Sequence, residues 1–84
     1  MAITMKMVTK GTIVMLSNGL EAEVLDNLTN RQTRMCKVYG RYTEMGSVYS
    51  SDIVSAKDED GGWHVVVHST KTLVAAKNRQ MAGF

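Results

Sequence analysis

An Asn18-Gly19 step between two apolar segments is the sequence feature that most constrains the fold. It follows TIVML at residues 12–16 and precedes LEAEVLD at residues 20–26. Both central positions of a two-residue type I′ turn need positive φ, which Asn and Gly adopt most readily. The chain is therefore predicted to form a tight β-hairpin here, with the two glutamates of the second strand facing water.

Three further segments have strand-like patterns, and a second loop signal separates the last two. Residues 58–62, DEDGG, are typical of a hairpin loop. Together the five predicted strands cover residues 12–16, 20–26, 34–39, 47–56 and 63–68. Closing such short strands on themselves removes the open edges of a sheet. The sequence predicts a mainly β fold, a small SH3-like antiparallel five-stranded barrel with a C-terminal α-helix.

The chain divides into three predicted parts. Residues 1–10, MAITMKMVTK, alternate apolar and polar side chains and predict an N-terminal arm or edge strand. Residues 11–68 form the barrel. Residues 69–84 begin with Ser69 and Thr70 as candidate caps, and Leu73, Val74, Lys77 and Met81 recur at helical spacing, which predicts a helix packed on the barrel.

The third predicted strand has two possible buried faces. Arg34, Cys36 and Val38 share one face, and we expect Cys36 and Val38 to point to the core. Gly40 and Gly46 bracket the next segment, where they are expected to act as bends or corners of the barrel.

The composition bounds the class of protein. At 84 residues with 44% hydrophobic side chains, the chain is expected to be one domain with a thin core. Cys36 is the only cysteine, so an intramolecular disulfide is excluded and a reducing compartment is favoured. No apolar run approaches the ~20 residues of a membrane span. We expect a soluble protein without a membrane partner.

Two segments carry resemblances to known proteins. KGTIVMLSNGLEAEVLDN resembles the start of a KOW-type segment. VYGRYTEMGSVYSSDIV, followed by DGGW and HST, resembles small uncharacterised proteins of tailed bacteriophages, notably marine and cyanobacterial ones. The second resemblance implies no activity. It implies a phage accessory protein located in the cytoplasm of the infected host cell or in the virion.

The sequence offers no catalytic, cofactor or metal motif. His64 and His68 are four residues apart on a predicted strand, about 13 Å, which is too far for one metal ion. No spacing fixes a nucleophile, a base and an orienting acid together. The type II dihydrofolate reductases are SH3-like enzymes, but GSVYSSDI lacks their Val-Gln-Ile-Tyr segment. We expect a protein that is not an enzyme and has no cofactor.

Two binding hypotheses remain. Basic side chains interleave with tyrosines in the middle of the chain, a combination that suits single-stranded nucleic acid because cations contact phosphate and flat rings stack on bases. This alternative uses Arg31, Arg34, Lys37 and Arg41 with Tyr39 and Tyr42.

The leading hypothesis is protein binding. Seven methionines in a short chain suggest an adaptable apolar surface, and a thin core with extra apolar surface suggests a homo-oligomer. The predicted contact residues are Met5, Met7, Tyr39, Arg41 and Tyr42. The expected partners are a second copy of the chain, a host protein or a virion protein.

Overall fold

A single mixed β-sheet of seven strands forms the body of the protein. The computed structural model describes residues 2–29, 31–69, 72–74 and 77. The strands are β1 (Ile3–Thr4), β2 (Ile13–Leu16), β3 (Glu21–Val24), β4 (Thr33–Tyr39), β5 (Thr43–Tyr49), β6 (Ile53–Lys57) and β7 (Trp63–Val67). Their order across the sheet is β1-β7-β6-β2-β3-β4-β5. β1 runs parallel to β7, and every other neighbouring pair is antiparallel.

The mainly β prediction is confirmed, but the sheet has seven strands and is not closed into a barrel. The predicted strand at residues 47–56 is two strands, β5 and β6, separated by a 3₁₀ turn at Ser50–Asp52. In that turn the Ser50 hydroxyl donates to the Arg31 carbonyl at 2.7 Å, and the Asp52 carbonyl accepts the Ser17 N–H at 2.8 Å. A further strand, β1, joins the sheet at its other end.

The core lies on one face of the sheet and is built from small apolar side chains. Its buried members are Val8, Val14, Leu16, Ala22, Val24, Cys36, Ile53, Ala56 and Val66. Ile3, Met5, Val38 and Val48 pack against them. The expected inward positions of Cys36 and Val38 are therefore confirmed. Because most of its side chains are valine and alanine, this core buries little apolar area per residue. Each buried polar group therefore has a large effect on the free energy of unfolding.

The first hairpin has the predicted position but a different turn. The Leu16 N–H donates to the Leu20 carbonyl at 2.8 Å, and the Gly19 N–H donates to the Leu16 carbonyl at 2.9 Å. Gly19 has a φ of +88°, whereas no described residue other than glycine has positive φ. The loop therefore has three residues with glycine in the left-handed position, and the type I′ prediction is wrong.

Gly46 is not a corner. It pairs with Cys36 in an uninterrupted β4–β5 register that runs from Thr33 opposite Tyr49 to Tyr39 opposite Thr43. Its φ is not positive, and a Cβ built on it meets no atom within 4 Å. The changes of direction lie instead at the bend of residues 40–42 and at the 3₁₀ turn.

The N-terminal segment is part of the domain. After β1, residues Met5–Met7 form a single 3₁₀ turn, and Val8 is fully buried in the core. The Lys10 N–H donates to Asn27 Oδ1 at 2.7 Å, and the Gly11 N–H donates to the Val24 carbonyl at 2.7 Å. These bonds tie the segment to the end of β3.

At the C-terminal side, residues 72–74 and 77 are helical. The Ser69 hydroxyl accepts the Thr72 N–H at 3.2 Å, as an N-cap does. Leu73 and Val74 are 53% and 50% exposed, although both were expected in a buried stripe. The remainder of the predicted helix, including Met81, lies outside the described residues.

Candidate functional site: the β4–β5 hairpin

The tip of the β4–β5 hairpin brings three of the predicted contact residues to the surface together. Tyr39 ends β4, and Arg41 and Tyr42 lie in the bend before β5. Tyr39 is 37% exposed, Tyr42 is 72% exposed, and Arg41 is also exposed. Gly40 lets the bend approach β3 closely, because a Cβ on it would lie 3.3 Å from Leu20 Cδ1. We call Tyr39, Arg41 and Tyr42 the hairpin tip.

A glutamate on the neighbouring strand orients Tyr39. The Tyr39 hydroxyl donates to Glu23 Oε1 at 3.1 Å. This hydrogen bond, with smaller contributions from partial burial and the glutamate charge, raises the pKa of Tyr39 above its ordinary value of 10.0. The hydrogen bond directs the Tyr39 side chain toward β3, whereas the Tyr42 side chain is 72% exposed.

The electrostatic surroundings of the hairpin are mixed in sign. Lys37 is half-buried and lies opposite Glu23 on β3 and Met45 on β5. Glu21 lies opposite Tyr39, and Glu44 is exposed on β5. Lys37 thus has a carboxylate directly opposite it on β3, and Glu21 and Glu44 lie on the strands beside the bend that carries Arg41, so negative and positive side chains alternate on this surface.

Arg34 is fully buried, so it is removed from the predicted nucleic-acid surface. Its Nε donates to Asp26 Oδ1 at 2.6 Å, and its Nη2 donates to the Val8 carbonyl at 2.7 Å and the Asp26 carbonyl at 2.9 Å. Its Nη1 is buried and has no hydrogen-bond partner among the residues that the structure describes. A guanidinium held in this way connects the N-terminal segment to the β3–β4 loop.

Asp26 is the anion that compensates Arg34. Partial burial opposes its ionisation, but the Met35 N–H, the Arg34 guanidinium and the Leu28 N–H together hold the pKa of Asp26 below 3.8. Asp26 is not among the site residues predicted from the sequence. The period of two had placed Arg34 on the same face as Cys36 and Val38, and that signal indicates a buried arginine in need of a partner.

Arg31 lies at the opposite end of the hairpin from the tip. Its carbonyl accepts the Ser50 hydroxyl at 2.7 Å, next to the start of β4. From there β4 runs seven residues to Tyr39, a distance of about 20 Å at 3.3 Å per residue. The four predicted cations therefore do not form one cluster. Only Lys37 and Arg41 lie near the two tyrosines.

The two methionines of the N-terminal segment have different environments. Met5 packs against the core, whereas Met7 is 60% exposed. More apolar surface lies along the outer side of the hairpin, where Met35 is 44% and Met45 73% exposed. On β7, Trp63, Val65 and Val67 are 41%, 63% and 52% exposed. Exposed apolar area is thus concentrated on the outer face of the sheet.

Each histidine contacts an oxygen atom of the protein, and the cysteine is buried. His64 Nε2 lies 2.5 Å from Asp58 Oδ2, and this contact, with the Gly62 and Asp60 N–H groups, lowers the pKa of Asp58 below 3.8. His68 Nε2 lies 2.7 Å from the Ile53 carbonyl oxygen. Burial raises the pKa of the Cys36 thiol above 9.0, against a smaller opposing effect of the Arg34 charge.

Asp58 and His64 line an open cleft of about 470 Å³ with Thr9, Thr12 and Glu59. The same Asp58 carboxylate accepts the N–H groups of Asp60 and Gly62 and so closes the β6–β7 turn. Within residues 2–29, 31–69, 72–74 and 77, no three His, Cys, Asp or Glu side chains are placed to hold a metal ion.

Comparisons with family models, curated proteins and solved structures found no match to this chain. In the part of the chain that the structure describes, no helix is long and apolar enough to cross a membrane.

Proposed function

We propose that the protein is a non-enzymatic protein-binding module that uses the hairpin tip as its contact surface and also associates with itself. The proposed setting is a tailed bacteriophage, with the protein acting in the host cytoplasm or in the virion as an accessory protein that binds a virion or host protein. The setting depends on the resemblance of residues 38–54 to small phage proteins.

The strand order supports an SH3-like relationship as part of this proposal. Five strands lie in the order β6-β2-β3-β4-β5, so the last of the five in sequence returns to pair with the first. A 3₁₀ turn precedes that returning strand. β1 and β7 then extend the sheet beyond the five.

The single observation that carries the binding proposal is the joint exposure of Tyr39, Arg41 and Tyr42 on one tight bend. Tyr and Arg are the residues enriched at the energetic centres of protein interfaces, because each combines a large contact area with directional hydrogen bonds. Tyr39 is already ordered by Glu23, so part of the entropic cost of binding is met in the free protein.

A nucleic-acid partner is the alternative, and the geometry favours it less. Arg34 is buried, Arg31 is at the far end of β4, and Glu21, Glu23 and Glu44 lie around the remaining cations. Titration of a fluorescent oligonucleotide at about 50 and 200 mM salt tests this alternative. Binding at the lower salt that falls steeply at the higher salt would favour nucleic acid over protein.

The binding proposal is tested by comparative capture from host lysate and from disrupted particles. The bait variant is Arg41→Ser with Tyr42→Ser. The matched control is Leu28→Ser, because Leu28 is 50% exposed and lies in the β3–β4 loop at the other end of the hairpin. We expect quantitative mass spectrometry to find at least one protein retained by the wild type and the control but lost by the tip variant. If no protein shows this difference, the proposal is wrong.

A further inference from the structure

Within the part of the chain that the structure describes, the outer edge of β5 has no strand partner, and the direction of its backbone groups follows from the β4–β5 register. The Ser50 N–H donates to the Gln32 carbonyl at 2.7 Å, and the Gly40 N–H donates to the Tyr42 carbonyl at 3.3 Å. In the uninterrupted β4–β5 register, hydrogen-bonded pairs alternate with non-hydrogen-bonded pairs. The even-numbered residues of β5 therefore bond to β4. The N–H and C=O groups of Thr43, Met45 and Ser47 point away from β4, to the free edge.

This edge has few of the features that usually prevent strand pairing, and Glu44 is its one charged side chain. β5 has seven residues and no proline, lysine or bulge, and among the described strands it pairs only with β4. At the opposite end of the sheet, β1 has only two residues. Natural proteins protect long edges with charges, prolines or bulges, because an unprotected edge pairs with another strand.

We propose that β5 pairs in an antiparallel arrangement with β5 of a second copy of this chain, with the two-fold axis at Gly46. This inference rests on the self-association included in the proposed function and names its surface and register. Gly46 is the midpoint of Thr43–Tyr49, so this register overlaps the whole strand with itself. Met45 then lies opposite Ser47 of the second copy, and these two residues exchange backbone hydrogen bonds on each side of the axis.

The side chains of β5 suit a second copy in this register. On the outer face Met45, which is 73% exposed, lies beside the smaller Ser47 of the second copy. Met35 of that second copy is the next side chain across, because Met35 is opposite Ser47 within each chain. The methionines of the two copies thus cover one another. The only charge on the strand is Glu44.

The two Glu44 side chains do not oppose the pairing. Each lies opposite Val48 of the other copy, so the pair is about four residues apart along the strand, or about 13 Å. That separation exceeds the Debye length of about 8 Å at physiological ionic strength. The pairing joins two seven-stranded sheets into one continuous sheet and leaves both hairpin tips at the ends of the joined strands.

Disulfide cross-linking tests the register directly. Gly46 would face its own copy across the axis in a non-hydrogen-bonded pair, with Cα atoms about 4.5 Å apart, a distance that a disulfide spans. A Cβ at Gly46 meets no atom within 4 Å. The background is Cys36→Ala, because Cys36 is opposite Gly46 within one chain and would compete for the new thiol.

In that background we expect Gly46→Cys to form a covalent dimer under mild oxidation. The matched control is Ser47→Cys, whose thiol lies opposite Met45 of the second copy and should remain monomeric on a non-reducing gel. A cross-link at residue 47 with none at residue 46 overturns the register.

Proline substitution tests the edge itself. The Met45 N–H points to the free edge, so Met45→Pro leaves the β4–β5 ladder intact, whereas Glu44→Pro removes a bond within the chain. We expect analytical ultracentrifugation of the full chain to show a wild-type dimer and a folded Met45→Pro variant whose dimer is weaker by about tenfold or more. Glu44→Pro should instead lower the melting temperature.

A wild type that is monomeric at all concentrations, or a dimer that Met45→Pro leaves unchanged, overturns the proposal. A wild type that stays monomeric while the edge captures another protein identifies a foreign strand as the occupant. Cross-linking needs no other protein. The two proposals can therefore fail separately. If the dimer forms but the capture experiment finds no protein that the tip variant loses, the binding proposal is wrong and the β5 pairing stands.

Discussion

Replacing Asp26 with asparagine is expected to destabilise the protein more than replacing its partner Arg34 with methionine. Asp26→Asn leaves the buried guanidinium without a counter-charge, and the Nη1 of that guanidinium already lacks a hydrogen-bond partner. Removing one member of a buried ion pair typically costs about 3 to 5 kcal/mol. Because the Asp26 side chain is 20% exposed, we take the lower end, about 3 kcal/mol.

Arg34→Met removes the charge and the unpartnered nitrogen together. It leaves the Val8 and Asp26 carbonyls without their donor, at about 1 kcal/mol each, and places an apolar side chain of similar length in the core, which offsets part of that loss. The expected net cost is about 1 to 2 kcal/mol. The double variant should have about the same free energy of unfolding as Arg34→Met, because the asparagine introduced in the β3–β4 loop then has no buried charge beside it.

Urea denaturation followed by far-ultraviolet circular dichroism measures this order. For a domain of this size, 1 kcal/mol corresponds to about 4 to 8 °C in Tm, so Asp26→Asn should melt about 12 to 24 °C below the wild type. A double-mutant cycle isolates the coupling between the two side chains. If Asp26→Asn is no more destabilising than Arg34→Met, the reasoning about the uncompensated charge is wrong.

The same pair predicts a pH dependence. The pKa of Asp26 is lowered in the folded state from 3.8, so the unfolded state binds the proton more tightly. The stabilisation is therefore complete above pH 3.8 and is lost as pH falls through the lower folded value. Asp26→Asn should lack this part of the acid transition when the two proteins are compared in urea between about pH 5 and 2.

The remaining predictions concern the turn, the tip and the thiol. Gly19→Ala should cost about 1 kcal/mol or more by urea denaturation because Gly19 has positive φ. A Cβ at Gly46 likewise meets no atom within 4 Å, but Gly46 lacks positive φ, so the stability of Gly46→Ala should be within about 0.5 kcal/mol of the wild type. Equal losses of stability in the two variants would show that the positive φ of Gly19 is not the cause. Glu23→Gln should lower the pKa of Tyr39, whose hydroxyl donates to Glu23; an ultraviolet titration unchanged from the wild type argues against that bond. Cys36, fully buried with a raised pKa, should react with a thiol reagent only after unfolding, and fast reaction in the folded protein would contradict its burial.

Much of the strand content could be read from the sequence, because it follows from local patterns. The β-branched run before Ser17, the alternation of EAEV and the DEDGG loop specify strands and turns through neighbouring residues alone. The same period left two possible inward faces for β4, and the expected one, with Cys36 and Val38, is the face that packs on the core. What the period could not supply was the count of strands, since whether residues 47–56 form one strand or two depends on which strands their ends pair with.

One part of the candidate site could also be predicted from the sequence, and another part could not. Gly40 predicted a bend at this place, but whether Tyr39, Arg41 and Tyr42 are exposed together was decided by the fold. Only the tertiary structure decided which of the predicted basic side chains reach the surface. Arg34 is buried because Asp26, eight residues earlier, and the Val8 carbonyl, 26 residues away, meet it across strands.

The sequence by itself determined the position of most strands and of the Asn18-Gly19 and DEDGG turns, since those preferences depend on side chains a few residues apart. Only the tertiary structure decided which charges reach water and which edge of the sheet remains unpaired. The physical reason is that burial and strand pairing join residues distant in sequence. One of them, Asp26, turns a predicted phosphate contact into an internal support of the fold.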